Sequence, residues 1–273
     1  VGLVSLLQAA VLGVVQGLTE FLPISSTGHL ILVSRLLGWQ DQGLGFDMAV
    51  HVGSLLAVIA YLWSDIVQLT TACARSLAGR GGDSGAEGSR LGWQLAVATL
   101  PVLVGGLLAA DLVAGAARNV QLIATTSIVF GLLLGWSDRL AERLHATGEI
   151  GWGAAVGVGL AQALALIPGT SRSGATITAG RAMGFSRELA ARFSFLLAVP
   201  VGLLVAAKQV LDSLSGEPSG AGWAALAVGF AVSAASSFLA IHGLLAWLRR
   251  RSLRIFVLYR VFLGLALLGL NAG

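Results

Sequence analysis

The chain has 273 residues, of which 56% are hydrophobic and only 11% charged, with a mean hydropathy of +0.86. Soluble domains of this size are about a quarter charged, so too little polar surface remains to cover a water-soluble globule, and the bilayer is the natural solvent. The net charge of +4 does not imply a nucleic-acid partner, because most arginines stand at the ends of apolar runs, where membrane topology places them, and the single cysteine, Cys73, excludes an intramolecular disulfide.

Eight apolar runs follow in chain order, at about 3–22, 46–63, 91–113, 119–136, 151–167, 188–211, 222–247 and 254–270. The first lacks a basic leader and runs straight into a polar motif, so no cleavable signal peptide is expected. The first and fifth runs differ from the rest. Each ends at a proline, Pro23 or Pro168, followed by a polar stretch, Ser25-Ser26-Thr27-Gly28-His29 or Gly169-Thr170-Ser171-Arg172-Ser173-Gly174. Each then resumes as a short apolar segment, 30–38 or 175–184. Proline stops the helix, and a polar loop at membrane depth needs protein or water partners. Both segments therefore read as re-entrant hairpins rather than full spans.

The two hairpins also match in sequence. An offset of 146 residues pairs Gly13 with Gly159, Gln16 with Gln162, Ser25 with Ser171, Gly28 with Gly174, Arg35 with Arg181 and Gly38 with Gly184. The predicted fold is an all-α polytopic membrane protein, a single membrane domain of two repeats, 1–136 and 150–273. Each repeat carries one re-entrant hairpin and three full spans, and an odd number of spans inverts the second repeat. One face carries Arg75, Arg80, Arg90, Arg139, Arg143, Arg181, Arg187, Arg192, Arg249, Arg250, Arg251 and Arg254; the other carries Arg35, Arg118 and Lys208. The arginine-rich face is the cytoplasm. Both termini and the mouth of the first hairpin then face outward, and the two tips meet near the midplane.

Ionisable residues at such tips are expensive in lipid and therefore functional candidates. They are Glu20, His29 and Arg172. Gln16 and Glu20 share a helix face aimed at the first polar loop. Arg172 can grip phosphate bidentately. Ser25, Thr27, Ser171, Ser173 and Thr176 add hydroxyls beside two helix N-termini that favour anions, although Ser25 and Thr27 suit N-caps equally. The set matches a polyanion such as pyrophosphate. Asp47 and His51, at the start of the second run, read as structural. Gln162 reads as an interhelical hydrogen-bonding residue. The seven tryptophans, all near run ends, read as interfacial anchors.

The segment from Gly13 to His29, with Gln16-Gly-Leu-Thr-Glu20-Phe-Leu-Pro23-Ile-Ser25-Ser26-Thr27-Gly28-His29, resembles the first signature of bacterial undecaprenyl-diphosphate phosphatases of the bacitracin-resistance type. Pro168-Gly-Thr-Ser171-Arg172-Ser173-Gly174-Ala-Thr176 resembles the second, and Phe193-Ser-Phe-Leu-Leu-Ala-Val-Pro200 is also characteristic. The resemblance covers essentially the whole chain. It implies interdigitated inverted repeats, frequently a homodimer, in the bacterial plasma membrane among its lipids. It implies hydrolysis of undecaprenyl diphosphate at the outer face, recycling the lipid carrier for peptidoglycan synthesis, with a divalent cation such as Mg or Ca. It makes Glu20 the motif carboxylate and metal ligand, Ser26 the candidate nucleophile, His29 the acid/base and Arg172 the phosphate clamp. Many members have a glutamate where Gln16 stands, and glutamine serves neither as base nor as anionic ligand. Whether Ser26 attacks, or His29 or Glu20 activates water, is open at this level. A phosphatidic-acid-phosphatase motif is excluded because Thr178 stands where its last histidine belongs. A transporter or flippase of the lipid carrier is the reading that broken inverted repeats would favour.

Overall fold

The structure is a computed structural model that describes residues 4–40, 42–79, 83–109, 119–144, 149–215 and 222–272. Eleven α-helices occur among the described residues: α1 (Leu6–Glu20), α2 (Ser26–Leu36), α3 (Leu44–Tyr61), α4 (Trp63–Leu77), α5 (Asp83–Leu108), α6 (Val120–Arg143), α7 (Trp152–Ala163), α8 (Arg172–Ala182), α9 (Arg187–Ser215), α10 (Trp223–Leu248) and α11 (Arg254–Ala272). α1 opens on a capping box in which Ser5 Oγ accepts from Gln8 N and Gln8 Oε1 accepts from Ser5 N, satisfying two orphan donors. It stops at Glu20, ahead of Pro23. α7 tightens into a 3₁₀ turn, Leu164–Leu166, ahead of Pro168.

Four helices are long and apolar enough to cross a membrane, at Glu87–Leu108, Val120–Arg143, Arg187–Lys208 and Trp223–Leu248, and α3 with α4 makes a fifth if the bent pair is one span. The 15 residues of α1 rise about 22 Å, short of the roughly 30 Å hydrocarbon core. α1, and α7 with its 3₁₀ turn, are shorter apolar helices that fall short of that thickness. The run 46–63 differs from expectation. It does not end in a loop but bends by 76° at Leu62 and continues as α4. The composition of α4 is too polar for a span, and it packs on α5, held to α9 by Arg192 Nη2 at 2.7 Å from Asp65 Oδ2. Arg80 and Arg118, counted in the charge asymmetry, lie outside the described residues.

Elements from the two ends of the chain interleave. α1 and α3 pack on α10, α7 packs on α5, and α6 packs on α11. The seams are lined by small residues: a Cβ on Gly17 would stand 2.6 Å from Ser233 O, and one on Gly159 would stand 2.6 Å from Ala98 O. Side chains cannot fit there, so backbones approach and dispersion replaces the hydrophobic drive that lipid does not supply. The core surrounding both tips is aromatic and aliphatic. Phe21 and Phe195 meet edge to face at 5.4 Å, among Phe193, Leu197, Ile177 and Leu134.

α2 and α8 each have 11 residues and begin and end 146 positions apart. Each is preceded by a serine with positive φ, 71° at Ser25 and 69° at Ser171. Beyond the far end of α8, Asp138 Oδ1 accepts from Arg181 Nε at 2.9 Å and Arg187 Nε at 2.8 Å, and its Oδ2 accepts from Arg187 Nη2 at 2.9 Å. Arg181 is thus buried in a paired network, not free at a membrane surface.

Candidate active site

Ser25 and Ser171 are the two non-glycine residues with positive φ among the described residues. Such a conformation costs about 1–3 kcal/mol and persists only where the surroundings over-determine it. Here they do. Ser171 Oγ accepts from Gly174 N at 3.1 Å, and His29 Nδ1 donates to Ser25 O at 2.7 Å. Arg260, fully buried on α11, donates through Nε to Ser127 O at 3.1 Å, through Nη1 to Pro23 O at 3.3 Å, and through Nη2 to Gly169 O at 3.0 Å and Thr170 O at 2.9 Å. One guanidinium therefore ties both tips together. Ser173 Oγ adds a direct link, donating to Leu22 O at 3.0 Å.

The strained serines aim the next residues, Ser26 and Arg172, at one centre. Ser26 Oγ donates to Glu20 Oε2 at 2.8 Å, and Gln16 Nε2 donates to the same oxygen at 2.9 Å. Glu20 Oε1 faces Arg172 Nη2 at 3.7 Å, and Arg172 Nη1 is steadied on Ser194 O at 3.2 Å. His51 Nε2 lies 3.6 Å from Glu20 Oε2. Glu20, Ser26, Thr27, His51, Ser171 and Arg172 line one cavity of about 530 Å³. The rest of its wall is mostly apolar, with Leu55, Val58, Val201 and Val205, interrupted by Ser25, Asp47 and Ser54. A hydroxyl hydrogen-bonded to a carboxylate is the pairing that nucleophilic catalysis uses, and a guanidinium beside both suits an anion such as phosphate.

The expected residues divide into two groups. Glu20, Ser25, Ser26, Thr27, Ser171 and Arg172 reach the cavity. Gln16 lies behind Glu20, fully buried, and acts on the cavity through that carboxylate. Ser173 and Thr176, expected to contact substrate, do not line it. Both are buried, Ser173 spent on the first tip and Thr176 on Arg172 O at 2.9 Å and Ser194 Oγ at 2.7 Å. They secure α8 and its neighbours. His29 is also off the cavity wall: its Nε2 meets Tyr259 OH at 2.7 Å and its ring stacks on the Tyr259 ring. Gln162, expected to bond between helices, is buried with neither amide atom paired among the described residues.

Arg260 and Tyr259 escaped the sequence reading, and Asp47 and His51, read there as structural, line the cavity. Arg260 carried a usable signal, being ionisable within an apolar run. His51 and Asp47 share a helix face at the start of α3, but nothing in their spacing says that this face meets Glu20. Tyr259 stands in an apolar run and carries no signal at all. Among the described residues no group of three or more His, Cys, Asp or Glu is gathered to hold a metal. Magnesium, however, commonly binds through one or two carboxylates plus substrate phosphates, and Glu20, with Asp47 in the same cavity wall, fits a cation that arrives with its polyanion rather than a prebuilt cage.

Two strained tips that gather a carboxylate, a hydroxyl and a guanidinium at the end of an apolar cavity define a multi-pass helical membrane protein with a site for an anion on an apolar tail. The bacitracin resistance protein BacA family matches residues 9–266. An undecaprenyl-diphosphatase of Magnetococcus marinus is 50% identical over 263 residues, 96% of this chain and 97% of that protein. An undecaprenyl-diphosphatase of Idiomarina loihiensis is 46% identical over 261 residues, again 96% and 97% of the two chains. The chain belongs to the BacA, or undecaprenyl-diphosphatase, family.

Proposed function

We propose that the chain hydrolyses undecaprenyl diphosphate to undecaprenyl phosphate and phosphate at the outer face of the bacterial plasma membrane, returning the lipid carrier to peptidoglycan synthesis. The observation that carries this reading is the Ser26–Glu20–Arg172 constellation at the polar end of an apolar cavity. The prenyl tail leaves through the lipid-facing side while the pyrophosphate meets Arg172. Ser26 Oγ attacks the terminal phosphorus as its proton passes to Glu20 Oε2. The bond from that phosphorus to the bridging oxygen breaks, releasing undecaprenyl phosphate and leaving phosphoserine, which water then cleaves. Charge on the transferring phosphoryl group is the main obstacle in such transfers, so a preorganised guanidinium and backbone N–H groups at the two tips lower the barrier. Glu20 would hold a divalent cation against the substrate phosphates, and that cation would supply further charge neutralisation. His29 holds the strained Ser25 through its carbonyl, and Gln16 orients Glu20.

The same reading places the chain in one membrane domain of two inverted repeats, 1–136 and 150–273. The matching bounds of α2 and α8, the matching φ of Ser25 and Ser171 and the interleaved seams support it. The arginine asymmetry supports a cytoplasmic second mouth and an outward cavity, and the family resemblance supports a homodimer. Broken, interleaved helices also suit a flippase for the carrier. Phosphate release from undecaprenyl diphosphate by the purified protein in detergent, with no membrane gradient, separates the two. Hydrolysis is expected in the wild type and lost in folded Glu20→Ala and Arg172→Ala variants. A wild type that releases no phosphate under any divalent cation overturns the reading.

A further inference from the structure

We propose that His51, not His29, is the imidazole of the reaction, and that it holds the hydrolytic water against Glu20. This inference rests on the phosphatase reading above. The two histidines begin alike. Each donates Nδ1–H to the backbone carbonyl four residues earlier, His29 to Ser25 O at 2.7 Å and His51 to Asp47 O at 2.6 Å. A carbonyl only accepts, so in each neutral ring Nδ1 carries the proton and Nε2 is left as an acceptor.

They differ at Nε2. That of His29 is taken by the Tyr259 hydroxyl at 2.7 Å, the two rings lie stacked at 3°, and the residue is 6% exposed. It is spent on structure. The His51 side chain is 44% exposed, lines the cavity with Ser26 and Arg172, and has Glu20 Oε2 at 3.6 Å. That separation is too long for a direct hydrogen bond. It suits one water that donates one O–H to His51 Nε2 and the other to Glu20 Oε2, each at about 2.8 Å. Both protons of the water are then engaged and its lone pairs point away from the two acceptors, toward the cavity. Arg172 stands on the opposite carboxylate oxygen. Glu20 Oε2 thus serves both Ser26 and the water, while Oε1 faces Arg172. The arrangement serves cleavage of a phosphoserine on Ser26 and direct attack on the diphosphate equally.

The test compares His51→Ala, His51→Gln, His51→Leu and His29→Ala by steady-state phosphate release from undecaprenyl diphosphate and by thermal unfolding in detergent. Because the His51 hydrogen bond runs along its own helix, its side chain is 44% exposed, and Glu20 keeps Ser26, Gln16 and Arg172 as partners, its removal leaves no buried group unpaired. His51→Ala and His51→Leu are expected to lower kcat by about 10²-fold, with KM within twofold and the unfolding midpoint unchanged. His51→Gln, which retains an acceptor, is expected to recover at least about fivefold over His51→Leu. His29→Ala is expected to lower the unfolding midpoint. The proposal is overturned by His51→Ala turning over within threefold of wild type, by a loss that lies in KM, or by His51→Leu equalling His51→Gln. Absence of hydrolysis in the wild type is a different result and refers to the phosphatase reading itself.

Discussion

Arg172 Nη2 stands 3.7 Å from Glu20 Oε1, close enough to balance its charge and too far to be saturated by it. The guanidinium keeps N–H groups for a phosphate while its Nη1 is fixed on Ser194 O. Lysine retains the charge but not the fork. Arg172→Lys is expected to lower kcat/KM by about 10²-fold, and Arg172→Ala by about 10³-fold or more, both measured as phosphate release after the fold is verified.

Ser26 Oγ donates to Glu20 Oε2 at 2.8 Å, the arrangement that the proposed attack requires. Rapid quench with substrate labelled in the terminal phosphate is expected to place label on Ser26, and Ser26→Ala is expected to abolish both label and turnover. Unlabelled Ser26 in active enzyme under trapping conditions would mean that water attacks directly.

Gln16 donates to Glu20 Oε2 from a fully buried position, and its own Oε1 has no partner among the described residues. Gln16→Glu would put a second carboxylate against the first, and two such charges repel unless a cation or a proton is shared. The expected result is a roughly tenfold lower half-saturating concentration of divalent cation, with a lower unfolding midpoint in chelator. Titration of activity with Mg or Ca, beside thermal unfolding with and without chelator, checks both.

Arg260 satisfies four backbone carbonyls from both tips and α6. A buried acceptor left unpaired costs about 1–3 kcal/mol. Arg260→Met is therefore expected to lower the unfolding midpoint by about 10 °C or more and to abolish activity, because Ser25 and Ser171 lose the scaffold that holds their strained backbone.

Orientation has a direct check. Tags placed at the two termini are expected to be accessible from outside intact cells. A tag reached only after the membrane is opened contradicts the arginine asymmetry as a topology signal.

Composition, two prolines and two polar motifs are local properties, and they were enough to indicate a membrane solvent, two broken helices and the candidates Glu20 and Arg172, whereas Ser26 was marked by the family resemblance. That follows from physics acting along the chain: lipid excludes charge, proline excludes the next helical turn, and an arginine at such a break needs an anion. The bend at Leu62 was not legible, because the α4 sequence is polar enough to pass for a loop and only packing on α5 and α9 makes it a helix. Nor was the choice between the two imidazoles. His29 and His51 each occupy the same local setting, and what separates them is Tyr259, 230 residues from His29, and Glu20 across a helix boundary from His51. The chain by itself determined which chemical groups the bilayer-embedded tips must carry. Only the tertiary structure decided which of them face the cavity, because in a close-packed helical bundle a side chain's role is set by the helix laid against it, and that helix comes from the other end of the chain.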